Sequence, residues 1–226
     1  MSKSATVRHH PGEETLLAYA AGTLDEATSV LVATHLALCP HCRALTAAAE
    51  AVGGEMLDRF EPATLVNRSV GAALTLLDRA DAPTITREAP VTSATAVADA
   101  VIPRPLRDFL PAEPSAVKWR WMGPGVRYAH LCGAADTGKV GLLRIASGTR
   151  LPRHGHTDEE FTMVLEGSYA SGDRSYARGD VEWANDAVIH QPTASRDREC
   201  VCVVVTRGTL KATGIFAPLV QPLMAI

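Results

Sequence analysis

Apolar positions follow a helical period from residue 12 to about residue 80, and a strand-like texture from about residue 104 onward. Pro11 to Ala21 predicts a first helix: Pro11 suits the first turn, Glu13 and Glu14 favour its positive end, and Gly22 can cap it. Asp25 opens a second helix running through Val30, Leu31, Thr34, His35 and Leu38. Cys39-Pro40 breaks it, and Pro40 then starts a third helix that runs to about Val52 and is ended by Gly53-Gly54. A fourth, from Pro62 to Arg79, carries Leu65, Val66, Val70, Ala73, Leu74 and Leu77 on an apolar stripe.

Residues 81–103 lose this periodicity and hold several prolines, which predicts a linker. Beyond Arg104 the chain shows short apolar runs punctuated by glycine, with strand candidates at Val140–Ala146, Phe161–Glu166 and Cys200–Thr206. Short strands with frequent turn signals predict a sandwich or small barrel. The fold class is therefore α+β in two domains: a bundle of about four helices over residues 1–80, a linker over 81–103, and a β domain over 104–226. Each domain is expected to bury a core of its own.

Composition narrows the function. The 226 residues are 46% hydrophobic and 21% charged with a net charge of −3, ordinary for a globular protein. Residues 1–80 hold 6 basic and 9 acidic side chains, and 104–226 hold 15 and 13, so neither region has the excess a phosphate-binding surface needs. No direct nucleic-acid contact is expected. The first ten residues show no secretory pattern, and no apolar run approaches the ~20 residues of a membrane span. Five cysteines, two in a metal-like spacing, fit a reducing compartment better than a disulfide framework. The chain reads as cytoplasmic.

Two clusters carry chemistry. The first is His35-x3-Cys39-x2-Cys42, preceded by His9-His10. Thiolates mixed with imidazoles suit a closed tetrahedral zinc site, and the Pro40 break places both cysteines at a helix junction within reach of His35. Three ligands leave zinc one short. His10, beside the first helix, is the expected fourth, with His9 the alternative. Zinc here would staple a region of ~70 residues that buries little apolar surface unaided.

The pattern His10…His35-x3-Cys39-x2-Cys42 on a small helical bundle resembles the zinc-binding anti-sigma domain that inhibits extracytoplasmic-function (ECF) sigma factors. The opening HHPGEETLLAYAAGTL is similar to ChrR-type members in particular. The resemblance covers residues 1 to about 80. It implies a helical bundle lodged between the two sigma domains, hiding their polymerase-binding surfaces.

The second cluster is Gly148-x5-His154-x-His156-x3-Glu160-x6-Gly167, which resembles the first cupin motif at every fixed position. Residues 154 and 156 would share one strand face, Glu160 would return to the same metal from the next strand, and the two glycines would allow the flanking turns. Gly179 and His190 have the separation of the second cupin motif, although Asn185, Ala187 and Ala194 replace its usual Pro, Gly and Asn. His190 still stands where a fourth ligand belongs. Three imidazoles and a carboxylate suit zinc or another divalent transition metal. No second carboxylate–base pair is evident nearby. Cys200 and Cys202 alternate on an apolar strand and read as buried core, with a redox pair the minority alternative.

ChrR-type proteins join a zinc anti-sigma domain to a cupin-like domain in this order, so the resemblance extends through the C-terminal half as a cupin β-barrel. It implies an anti-sigma factor, not an enzyme, that binds one ECF sigma factor one-to-one and releases it in response to singlet oxygen or related oxidants. His10, His35, Cys39 and Cys42 would hold structural zinc; His154, His156, Glu160 and His190 would hold the second metal. The first and fourth helices would supply most of the sigma contact. The alternative from another class is a metal-dependent cupin enzyme, a dioxygenase or hydrolase, with an accessory zinc module.

Overall fold

The computed structural model describes residues 6–63, 70–79, 102–111, 116–134 and 137–213. Most of the expected linker, the start of the expected fourth helix and the C-terminal residues from 214 lie outside these. Five helices are described: α1 (Glu13–Ala20), α2 (Glu26–Leu38), α3 (Pro40–Asp58), α4 (Val70–Arg79) and the single turn α5 (Arg104–Arg107). Asp25 caps α2 by accepting from the Thr28 backbone N–H at 2.9 Å. Cys39 caps α3, with Pro40 in its first turn.

Two expectations are corrected here. The helices number five among the described residues, against about four expected, and α3 does not stop at Gly53-Gly54 but continues to Asp58. Both glycines face open space, so nothing forces a turn, and a helical glycine costs only ~1 kcal/mol.

Among the described residues the β region contains eleven strands in three antiparallel sheets. The largest runs β1 (Arg120–Gly123), β2 (Val126–Ala134), β3 (Gly138–Ile145), β10 (Cys200–Thr206), β5 (Glu160–Glu166), β8 (Val181–Ala184) in spatial order. A second pairs β11 (Leu210–Ala212) with β4 (His154–His156), and a third orders β7 (Arg174–Ala177), β6 (Ser168–Ser171), β9 (Thr193–Ala194). The expected closed barrel is thus three sheets without a continuous ladder. The strand of His154 and His156 (β4) and the next strand, which starts at Glu160 (β5), do not pair with each other. β4 pairs with β11, whereas β5 pairs with β10 and β8. Gly148 and Gly167 do take left-handed backbone, with φ of 69° and 73°.

The packing explains the near-continuous apolar run CVCVVV in β10. Cys200, Cys202 and Val204 face inward with Ile145, Val164, Tyr169 and Tyr176. Val203 and Val205 face the opposite way, into a cluster with Leu142, Phe161, Met163 and Leu165. That outer face is covered by Ala27, Val30 and Leu31 of α2 and by Leu106 of α5. A sheet buried on both faces needs no polar alternation. Phe109 and Trp119 pack against this cluster, while Trp121 is exposed.

The same packing explains why α2 is apolar nearly all round. One side meets the sheet; the other places Val32 against Leu16, Cys39 and Cys42. The helical region therefore shares a core with the β region, instead of burying one wholly of its own as expected. Arg207 at the end of β10 pins the junction, forming ion pairs with Asp25 and, at 3.0 Å, with Glu159.

Candidate metal centres

The α2–α3 break brings Cys39 and Cys42 beside the last turn of α2, where His35 projects. The extended segment before α1 delivers His10. One donor atom from each of His10, His35, Cys39 and Cys42 lies within 4.8 Å of the others. His35 Nε2 is 3.3 Å from Cys42 Sγ, and His10 Nδ1 is 3.3 Å from Cys42 Sγ and 3.5 Å from Cys39 Sγ. Adjacent ligands on a tetrahedral zinc with ordinary Zn–N and Zn–S bonds stand roughly 3.3–3.8 Å apart, so both the donor set and its spacing fit that ion. His9 points elsewhere, its ring 4.6 Å from that of Tyr176.

The surroundings prepare the ligands. Burial lowers the His35 pKa to about 4, leaving the imidazole neutral at pH 7. Its Nδ1 lies 2.9 Å from the Gly179 carbonyl oxygen; a proton donated there leaves the Nε2 lone pair facing the cysteines. Burial, and then the neighbouring Cys39, push the Cys42 thiol pKa up. A cation is what such a pair of buried sulfurs requires to deprotonate.

The second cluster gathers His154 and His156 from β4, Glu160 from the start of β5 and His190 from a bridge opposite His154, again within 4.8 Å. The β4 side chains share a face as a strand period of two demands. His190 Nε2 is 3.0 Å from His154 Nε2 and 3.2 Å from His156 Nε2, near the roughly 3.0–3.4 Å that nitrogens on one zinc-sized ion would keep. His154 Nδ1 is 2.8 Å from the Pro152 carbonyl oxygen, which holds the ring with Nε2 toward the cluster. Burial, then the neighbouring imidazoles, lower the His154 and His156 pKa values to about 4. Burial pushes Glu160 up to about 7. Three buried donors and a half-buried fourth, convergent on one point, fit a divalent transition metal. A cavity opens beside them, walled by Met122, Tyr128, Ile145, Leu151 and Val204.

A carboxylate paired with a cluster histidine stands here, where no second carboxylate–base pair is evident from the sequence. Glu182 on β8 is 9% exposed and places Oε1 3.2 Å from His190 Nδ1, while its Oε2 accepts from the Tyr169 hydroxyl at 2.8 Å. The available signal was a lone Glu in the strand VEWA, on the face opposite Trp183. Cys200 and Cys202 are buried as expected, their sulfurs 3.6 Å apart.

Comparison with known proteins adds two levels of likeness. The family model "ChrR Cupin-like domain" matches residues 109–210, and a zinc-finger model matches residues 13–43. The anti-sigma-E factor ChrR of Cereibacter sphaeroides is 38% identical over 221 residues, spanning 98% of this chain and 100% of the relative. A crystal structure of Rhodobacter sphaeroides SigE in complex with the anti-sigma ChrR aligns at TM-score 0.73 and 36% identity, covering 89% of this chain and 99% of the matched one.

Proposed function

Because the chain belongs to the ChrR-type zinc-binding anti-sigma factors, we propose that it binds an ECF sigma factor one-to-one and blocks its use by polymerase. The observation that carries this reading is likeness along the whole chain, through both the helical and the cupin-like regions, to an anti-sigma factor. It acts as a non-enzymatic regulator, so the cupin-enzyme alternative is set aside. The cytoplasm, where sigma factors meet polymerase, is its place of action.

Exposed apolar side chains on two helices support a protein partner. Val52, Met56 and Leu57 of α3, Phe60 just beyond it, and Leu74 and Leu77 of α4 are all more than half exposed. Apolar side chains left in water in this number favour a covering protein. The contact accordingly centres on α3 and α4, in place of the expected first and fourth helices, with Leu17 of α1 as a smaller contribution.

Within this reading, residues 1–80 inhibit, 81–103 link and 104–226 sense. His10, His35, Cys39 and Cys42 hold zinc as a structural staple. His154, His156, Glu160 and His190 hold a second divalent metal, zinc or a neighbour in the first transition row. Oxidants, singlet oxygen among them, act on the cupin-like region and free the sigma factor. No single described helix is long and apolar enough to cross a membrane.

The test is co-expression with the ECF sigma factors of the same genome. A stable one-to-one complex is expected. Cys39→Ala or Cys42→Ala should abolish inhibition, whereas His154→Ala or Glu160→Ala should preserve it and blunt the oxidant response. Absence of a complex with zinc present overturns the anti-sigma reading; cupin variants that lose inhibition outright overturn the division of labour.

A further inference from the structure

The short stretch that leads into β8 touches both metal clusters. The Gly179 carbonyl oxygen is 2.9 Å from His35 Nδ1. The buried Asp180 carboxylate accepts from the backbone N–H groups of Arg8, at 2.6 Å, and His9, at 3.0 Å, the residues just before His10. Val181 N–H donates to the His9 carbonyl at 3.0 Å. Residues 8 and 9 thus meet the start of β8, one of the two edge strands of the six-stranded sheet. One residue further on, Glu182 reaches His190 in the other cluster.

The glycine at 179 is required twice over. Its φ of 90° suits glycine, and an added Cβ would come within 2.7 Å of Val7 Cγ2 and 3.6 Å of Leu38 Cβ. The helical region is pressed against this point of the β region. Asp180 is held in turn by the Ala177 N–H, which donates to Oδ2 at 2.9 Å.

Ring orientation and tautomer of a metal-bound imidazole are set by the acceptor at its other nitrogen, and loss of such a partner typically lowers metal affinity about 10–100-fold. Resting on the reading that His10, His35, Cys39 and Cys42 hold a metal, we propose that Gly179 and Asp180 of the cupin-like region are positioning residues for that site. Gly179 orients His35, and Asp180 fixes the backbone that presents His10. The affinity of the N-terminal site is therefore set partly by how the cupin-like region docks against it.

Cobalt(II) reads this site separately in the full chain, because thiolate-to-cobalt charge-transfer absorption arises only where cysteine is a ligand. Competition with a chelator should show Asp180→Ala weakening cobalt and zinc binding at the Cys/His site about 10–100-fold. Asp180→Asn, which keeps an oxygen for Arg8 and His9, should lose less. Arg8→Pro removes one of the two N–H donors from an exposed segment without touching the β core, and should weaken binding in the same direction even if Asp180→Ala does not fold. A wild-type chain without the charge-transfer band overturns the metal reading and the proposal together. A wild-type band with Arg8→Pro and Asp180→Asn both within about twofold of wild-type affinity, each by chelator competition, overturns the proposal alone.

Discussion

Glu182 and His190 are paired inside the β region, with Glu182 Oε1 3.2 Å from His190 Nδ1. Burial disfavours charge on both, yet the pairing outweighs it, raising the His190 pKa and lowering that of Glu182. The carboxylate thereby holds the ring with Nε2 toward His154 and His156.

Removing this acceptor should loosen the second cluster and spare the first. Glu182→Ala is expected to reduce metal affinity of the cupin-like site about 10–100-fold. Metal content after dialysis, measured alongside a Cys39→Ala chain, would check it. Unchanged occupancy would show that His190 needs no orienting partner.

Leu31 is fully buried at the junction of α2 and the sheet. Leu31→Ala should cost about 2–5 kcal/mol, read as a shift in the urea midpoint. Because its cluster joins helical and sheet residues, far- and near-ultraviolet signals should move together. A helical signal that shifts alone would contradict a shared core.

Asp25 both caps α2 and pairs with Arg207. Burial pushes its pKa up, but the hydrogen bonds from Thr28 and Arg207 prevail and hold it below the ordinary carboxylate value. The charged form therefore stabilises the fold fully above about pH 4, and that contribution fades as pH falls through the lower folded pKa. Asp25→Asn should be less stable than wild type at pH 7, with the gap closing on acidification. A gap that widens in acid would reverse the assignment.

Leu57 and Phe60 are 71% and 70% exposed, so charge there costs the isolated chain little. Leu57→Glu with Phe60→Glu should leave the unfolding midpoint nearly unchanged and weaken the sigma complex at least tenfold, about 1.4 kcal/mol. Calorimetric titration would measure it; intact affinity would move the contact surface away from α3.

Much of the site was legible locally. The Cys39-Pro40 break, the cap at Asp25 and the strand carrying His154 and His156 follow from neighbouring residues and stand where periodicity puts them. The span Cys200–Thr206 agrees residue for residue. The end of α3 was misjudged because glycine disfavours a helix by too little to stop one unaided.

The sequence by itself determined which side chains could bind metal and which of them share a face, since both depend on residue type and a local period. Only the tertiary structure decided what stands behind them. Gly179 meets His35 across 144 positions, and Asp180 meets Arg8 across 172. Glu182 reaches His190 only because β8 runs at the sheet edge beside the cluster. Burial of α2 on two sides likewise depends on the assembled sheet. Such contacts arise from how whole faces pack, and a local pattern can mark a face without naming the face it will meet.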